Sequence, residues 1–582
     1  MSERPWWKEA VVYQIYPRSF NDSNGDGVGD IPGIIGRLDH LDDLGVDAVW
    51  LSPVYESPQH DNGYDVSDYR AIHSEFGSMA DWERLLEGLH DRDIRLVMDM
   101  VANHTSSEHE WFQRSRSNPD GPYGDYYVWR EGGPEEPPNN WESAFGGSAW
   151  EYDHEREAWY LHLFDTTQPD LNWRNPEVRR EIYDVMNWWL DKGVDGYRLD
   201  VINLLSKPKG LPDGDPSREW VGSERFVDGP RIFEYLGEMH EEVFAGTDTV
   251  SIGEMPRLDI ATARDYTGDG PLDLVFPFEH VELDFGDRGR WDVGEWSLPE
   301  LKSVLDRWQR GLGEEWWTTV FFENHDQPRS VSRFGDVDGT QRVSSAGRTQ
   351  SGDDEAYHYE SATALATVLL TLRGTPFVYQ GQEIGMTNSA FDSLDDVRDV
   401  DSVRNVRELI DDGVVEEYDA IRHVVEYRSR DNARTPVQWD DSPHAGFTDG
   451  EPWIPVNDDY REVNVARERS RSPSVLGYYR QLIELRGETP ALVRGSYDLH
   501  HPDDEQLFVY TRRLDDEGAV VAINFSPDPR TAALDPLDGS ASLLLGNYED
   551  VPETSDGAVD LRPYEARAYG VESGDSGQSG AR

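Results

Sequence analysis

Cysteine is absent from the 582 residues, which excludes disulfides, thiolate nucleophiles and cysteine-ligated metals. Lysine is almost absent too, standing only at Lys8, Lys192, Lys207, Lys209 and Lys302. No apolar run approaches the roughly 20 residues of a membrane span. The N-terminal stretch MSERPWWKEAVVYQIYPRSF has no charged-then-apolar leader, twin arginine or small-residue cleavage site. A cytoplasmic protein with no membrane partner is the expectation.

Positive charge is scarce throughout: 54 basic residues stand against 115 acidic ones, for a net charge of -61. The acids are spread along the whole chain and not gathered in a tail. Aromatic residues at 11% and hydrophobic residues at 37% exclude disorder and can fill a large central domain with smaller ones attached. A nucleic-acid partner is excluded by the charge. The composition resembles that of halophilic archaeal proteins. In molar salt the Debye length is about 3 Å and carboxylate repulsion is screened, whereas dilute buffer leaves the fold under self-repulsion.

One acidic stretch has a definite spacing. NDSNGDGVGD, Asn21 to Asp30, places oxygen ligands at Asp22, Asn24, Asp26 and Asp30 around Gly27, like the start of an EF-hand loop. The closing bidentate glutamate of such a loop would fall at Gly33, so a calcium sensor is excluded. An ion-holding loop and a plain acidic turn both remain.

Short β-branched or apolar runs alternate with helix-period segments, the pattern of parallel βα units. The runs are AVVYQIYPRSF from Ala10, VDAVWLSPV from Val46, IRLVMDMVANH from Ile94, GVDGYRLDVI from Gly193, TVSIGEM from Thr249, LVFPFE from Leu274, TTVFFENHD from Thr318 and TPFVYQGQEIGM from Thr375. These predict a closed (β/α)8 TIM barrel. Between them, DIPGIIGRLDHLDDLG and NPEVRREIYDVMNWWLDKG read as helices with glycine stops.

The expected organisation is barrel over 1–104, an inserted small domain over 105–172, and barrel again over 173–493 with a helical subdomain near 387–440. The insertion is inferred because the Gly, Pro, Asn and Trp-rich stretch after strand 3 is too long for an ordinary loop. Alternating strands such as QLFVYTRRL and GAVVAINFS predict a C-terminal antiparallel β-sandwich over 494–571, followed by a disordered tail over 572–582.

In such a barrel the chemistry lies at the C-terminal strand ends. Four of these carry charge or histidine: Asp99, Asn103 and His104 after strand 3; Arg198 and Asp200 on strand 4; Glu254 on strand 5; His325 and Asp326 on strand 7. Any one of them taken singly reads better as a salt bridge in a barrel mouth. Three carboxylates converging on one mouth instead suit glycoside hydrolysis, which needs a carboxylate to attack the anomeric carbon and a protonated acid to release the leaving oxygen. Arg198, on the same strand face as Asp200, is expected to lower the pKa of that carboxylate and keep it ionised, while Glu254 is expected to be pushed towards the neutral acid.

DMVANH from Asp99, DGYRLDVIN from Asp195, IGEM from Ile252 and ENHD from Glu323 resemble, in order, the four signature segments of the α-amylase superfamily of glycoside hydrolases, family 13. QPDLNW from Gln168 resembles the fifth segment of its oligo-1,6-glucosidase and α-glucosidase branch, as do HDNGYDVSDY from His60, GTPFVYQGQEIGM from Gly374 and RDNARTPVQWD from Arg430. The resemblance implies Asp200 as nucleophile, Glu254 as acid and then base, and Asp326 as transition-state stabiliser of a retaining mechanism, with nucleophile and acid about 5 to 5.5 Å apart. It implies that Asp61, Tyr64, His104, Arg198, His325 and Arg434 hold the terminal glucose, with Phe164 and Gln168 nearby.

It further implies that NDSNGDGVGD binds a structural Ca2+ or Mg2+ through Asp22, Asn24, Asp26, the carbonyl of Val28, and Asp30, with no organic cofactor. Endo-acting relatives carry a Lys-His pair shortly after the nucleophile, where this chain has Val201, Ile202, Asn203 and Leu204. The expected substrate is therefore a short oligosaccharide with a terminal non-reducing α-glucosyl unit. Val201 is the type of residue associated there with α-1,6 bonds, of isomaltose type, with α-1,4 cleavage and transglycosylation also open. Trehalose synthases and sucrose isomerases share most of these residues and form the main alternative. Non-catalytic transporter-associated relatives need a membrane anchor or a damaged triad, and the sequence has neither.

Overall fold

The computed structural model describes residues 5–286, 289–313, 316–336, 357–534, 541–552, 554–555 and 557–572. Eight short parallel strands form its centre: β1 (Val12–Ile15), β2 (Ala48–Leu51), β3 (Arg95–Val101), β4 (Gly196–Asp200), β5 (Val250–Glu254), β6 (Leu274–Phe276), β7 (Thr319–Val320) and β8 (Thr375–Tyr379). Each lies within one of the eight runs read from the sequence. They are buried on both faces, so they read as continuous apolar runs and not as alternating ones.

The strand order is β6-β5-β4-β3-β2-β1-β8-β7. Its two ends meet through side chains: the hydroxyls of Thr318 and Thr319 donate to the Val275 carbonyl at 3.0 and 3.2 Å, which closes the sheet into a barrel. Successive residues then point to opposite sides. Val12, Ala48, Trp50, Val97, Ile252 and Phe377 fill the barrel interior, while Tyr13, Val49, Leu51, Leu96 and Met98 join the core beneath the helices.

Local chemistry sets the helix boundaries. The segment after β1 folds as two short helices, Ile31–Ile35, whose N-cap Asp30 accepts from the Gly33 N–H, and Leu38–Leu44, ended by Gly45 at φ +84°. The helix before β4, Pro176–Leu190, starts on Asn175 with proline in its first turn. Strand 7 is shorter than its sequence run. It ends at Val320, so His325 and Asp326 stand on an irregular segment and not on the strand. There the Asn324 side chain accepts from the Asp326 N–H at 2.8 Å, a local bond that replaces the ladder.

The stretch between β3 and the Pro176–Leu190 helix contains a three-stranded antiparallel sheet of Trp129–Glu131, Ala158–Leu161 and Trp150–Asp153. After β8, helices Val400–Asp411 and Tyr418–Arg428 pack around Phe391, Val406, Ile421 and Val425. The C-terminal region is antiparallel. Ser496–His500, Leu507–Leu514, Glu517–Asn524, Ala566–Glu572, Ala541–Gly546 and Thr554–Ser555 neighbour one another in that order, and Arg530–Ala533 pairs with Ala558–Leu561 in a second sheet. Leu507, Val509, Val520, Ala532 and Val559 fill the space between these sheets, while Phe508, Tyr510 and Ile523 point the other way into the barrel's own core. The last strand runs through Glu572, and the rest of the tail expected from 572 lies outside the described residues. Among the described residues no helix is long and apolar enough to cross a membrane.

Candidate active site

The parallel register of β3 and β4 sets Asp99 beside Arg198, and Asp200 ends β4 two residues later. Glu254 ends β5. The Arg198 guanidinium joins all three acids: its Nη1 donates to Asp99 Oδ1 at 2.9 Å and to Asp200 Oδ1 at 2.6 Å, and its Nη2 reaches Glu254 Oε1 at 2.7 Å. Asp200 and Glu254 thus stand one guanidinium apart. The second oxygen of Asp99 accepts from the Tyr64 hydroxyl at 2.9 Å and from the Trp50 indole at 3.1 Å. The second oxygen of Glu254 accepts the Val201 N–H at 3.1 Å. That N–H is aimed by a left-handed backbone at Val201, φ +38°, which β-branched residues rarely adopt.

This sharing corrects the simple electrostatic expectation for Asp200. Burial pushes its carboxyl up, Arg198 pulls it down, and Glu254 and Asp99 push it up again, leaving it well above the usual carboxylate range. Burial likewise pushes Asp99 to about 6 against the pull of Arg198. One positive charge shared among three buried carboxylates does not offset burial at Asp99 and Asp200, and both stay above the usual carboxylate range.

Asp326 has the opposite environment. Burial raises its carboxyl, but the Arg430 and Arg434 guanidiniums hold it below the usual range. Arg434 Nη2 donates to Asp326 Oδ1 at 2.7 Å, and Arg430 Nη1 lies 3.4 Å from the same oxygen. His325 is stacked between Tyr64, at 5.2 Å and 7°, and Tyr16, at 6.0 Å and 15°. Burial lowers its pKa to about 3, so the ring is neutral.

A third group closes the pocket. Gln168 Nε2 donates to Asp61 Oδ2 at 3.2 Å and lies 3.3 Å from His104 Nε2, while Phe164 sits against the His104 ring at 5.2 Å. Burial pushes Asp61 to about 6 despite Arg430 and Arg434, and lowers His104 to about 4. Asp61, Tyr64, His104, Phe164, Gln168, Asp200, Val201, Glu254 and Asp326 line one cavity of about 740 Å3. Arg198, His325 and Arg434, each 1% exposed, lie beneath it. All the expected catalytic and sugar-binding residues are therefore in one place.

Sequence reading passed over Arg430. Its guanidinium reaches Asp61 at 3.3 Å, Asp326 at 3.4 Å and Asp399 at 2.7 Å, tying three chain segments together. The signal was present: RDNAR carries two arginines four residues apart, and only the second was assigned. Phe145 was also missed. It lines the cavity with Arg430 5.1 Å from its ring, and nothing in its sequence neighbourhood marks it.

The loop of Asp22, Asn24, Asp26, Val28 and Asp30 follows β1. The N–H groups of Asn24, Asp26 and Val28 each donate, at 2.9 Å, to the side-chain oxygen two residues earlier. Asp22 Oδ2 accepts from the Gly27 N–H at 2.8 Å and the Thr448 hydroxyl at 2.5 Å, and Asp30 Oδ1 accepts from Gly33. Among the described residues no three His, Cys, Asp or Glu side chains gather as a metal-holding group. The donors are nonetheless oxygen throughout, the chemistry that suits Ca2+ or Mg2+.

Comparison with known proteins agrees with this geometry. The α-amylase catalytic domain family matches residues 14–495. The oligo-1,6-glucosidase of Parageobacillus thermoglucosidasius is 50% identical over 577 residues, covering 98% of this chain and 99% of that protein. The trehalose-6-phosphate hydrolase structure from Bacillus licheniformis superposes with a TM-score of 0.89 at 44% identity, covering 98% of this chain and 100% of the other. The trehalulose synthase structure from Pseudomonas mesoacidophila MX-45 gives 0.90 at 41%, with 98% and 100% covered. These relatives are bacterial and lend no support to the expected archaeal source. With the family matched across the barrel and its three carboxylates meeting in one cavity, the chain belongs to the α-amylase family of glycoside hydrolases.

Proposed function

We propose that the protein is a retaining exo-α-glucosidase that releases terminal non-reducing glucose from short oligosaccharides, with a preference for α-1,6 bonds. The observation that carries this reading is the Arg198-linked pair of Asp200 and Glu254 opposite an Asp326 held ionised by Arg430 and Arg434. An Asp200 oxygen attacks the anomeric carbon as the bond from that carbon to the glycosidic oxygen breaks, and Glu254 gives its proton to the leaving oxygen. Water then attacks the same carbon, its proton passes to Glu254, and the bond to Asp200 breaks. For the first step Glu254 must carry the proton it donates and Asp200 must be ionised. Asp326 stays anionic and stabilises the positive charge that develops on the ring.

The full-length identity to an oligo-1,6-glucosidase and the presence of Val201 beside Asp200 support the linkage preference. Transfer of the glucosyl unit to a second sugar is the alternative favoured by the trehalulose synthase likeness. Incubation with isomaltose, maltose, sucrose and trehalose distinguishes the two: free glucose from isomaltose is expected, and isomerised disaccharide as the main product overturns hydrolysis. Asp200→Asn is expected to abolish glucose release from p-nitrophenyl α-glucoside with an unchanged melting profile; normal turnover refutes the assignment.

We also propose that Asp22, Asn24, Asp26, the Val28 carbonyl and Asp30 hold a structural Ca2+ or Mg2+, supported by their all-oxygen chemistry. The Asp22 N–H already donates to the Phe447 carbonyl and the Trp453 N–H to the Gly27 carbonyl, both at 3.0 Å, so an ion here would reinforce a tie and not drive a switch. Chelation is expected to lower the melting temperature; if neither it nor activity changes, the loop is an acidic turn only. The scarcity of lysine and the net charge of -61 support work in a salt-rich cytoplasm.

A further inference from the structure

In a chain with more than twice as many acids as bases, one cavity has the balance reversed. It has a volume of about 480 Å3, lies where the inserted sheet meets the barrel, and is lined by Arg130, Arg174, Lys207 and Lys209 against a single acid, Asp125. Two of the chain's few lysines are here. Arg174 and Lys209 are exposed and have no ion-pair or side-chain hydrogen-bond partner among the described residues. Arg130 is half-buried; among the described residues its guanidinium donates to the Trp129 carbonyl at 2.6 Å, and it feels Asp125 as an attraction and, more weakly, Arg174 as a like charge. Asp125 is one carboxylate among four cations, which leaves the lining with a surplus of positive charge that an anion would offset.

Lys207 is a different kind of member. It is buried, with Nζ 2.5 Å from Asp170 Oδ2 and 2.7 Å from Asn103 Oδ1. An ammonium has three N–H donors, so one remains for the cavity that Lys207 lines. Asn103 in turn lies 3.3 Å from His104 Nδ1, and His104 lines the catalytic pocket. A continuous chain of polar contacts therefore joins the two cavities.

We propose that this cavity binds a phosphate group, free or carried on a sugar, between Arg130, Arg174, Lys207 and Lys209, and that its occupation is felt at the catalytic pocket through Lys207, Asn103 and His104. Guanidinium forks and an ammonium are the donors that match phosphate oxygens. An anion that takes the remaining Lys207 proton pulls Nζ towards the cavity and lengthens its contacts with Asp170 and Asn103. The hold on His104 loosens, and affinity for the sugar falls.

Isothermal titration of the full chain at fixed chloride, with inorganic phosphate and separately with glucose 6-phosphate, reads binding independently of the glucosidase reading. Saturable binding of at least one probe is expected, weakened at least tenfold in the Arg174→Ala/Lys209→Ala variant, whose melting profile should match the parent. The tighter of the two probes shows whether the phosphate arrives free or on a sugar. The link to the catalytic pocket rests on the proposed activity. Saturating probe should raise KM for p-nitrophenyl α-glucoside at least twofold with kcat unchanged, in the parent and not in the variant. No saturable binding, or binding equal in parent and variant, overturns the site; binding without a change in KM overturns the link.

Discussion

Asp61 carries a negative charge into a place that resists it. It is 5% exposed, and although Arg430 lies 3.3 Å away, burial leaves its pKa at about 6. An unfolded aspartate titrates near 3.9, so around pH 7 the ionised Asp61 opposes folding by up to about 3 kcal/mol relative to a neutral side chain of the same shape. Asp61→Asn should therefore raise the melting temperature at pH 7, and the gain should vanish at pH 4, where Asp61 itself is protonated. A gain that persists at pH 4 would refute this origin. The same variant should lose activity, because a carboxylate that grips a sugar hydroxyl has become an amide. The identity of Asp61 as a site residue was legible from HDNGYDVSDY, but its charge state was not. It depends on the cations that reach it from Arg430 and Arg434, hundreds of positions away in the chain.

The loop after β1 shows what sequence spacing can and cannot give for an element. Its oxygens could be placed by counting; its attachment could not. Gly27 has φ +91°, and a Cβ there would lie 1.8 Å from the Glu451 carbonyl oxygen, whereas Gly25, at φ +81°, has only the Asp449 Cβ at 4.0 Å. Gly25→Ala should cost about 1 kcal/mol, the left-handed penalty alone. Gly27→Ala should cost several times more, because the 447–453 segment must move; equal losses in denaturant titrations would show that the close approach is not the constraint. The barrel strands were legible because two-sided burial makes each a continuous apolar run. Strand 7 misled because TTVFFENHD continues that pattern after the ladder has stopped: Phe321 and Phe322 are buried by packing, not by pairing.

At the scale of the molecule, charge and architecture act together. The net charge of -61 should make stability depend steeply on salt. Transfer from molar KCl to dilute buffer should lower the melting temperature by several degrees or more and reduce activity, and an unchanged melting temperature would end the salt-adaptation reading.

The strand Leu507–Leu514 gives its odd-numbered apolar side chains, Leu507 and Val509, to the C-terminal sheets, and Phe508 and Tyr510 to the barrel's core. From the barrel side, Lys302 hydrogen-bonds to the His501 and Leu507 carbonyls at 2.7 and 3.0 Å. The C-terminal domain is therefore a party wall and not an annexe. A truncation placed before it would strip the barrel helices of an apolar lining and leave a buried ammonium without acceptors, so the smallest autonomous unit of this protein includes both.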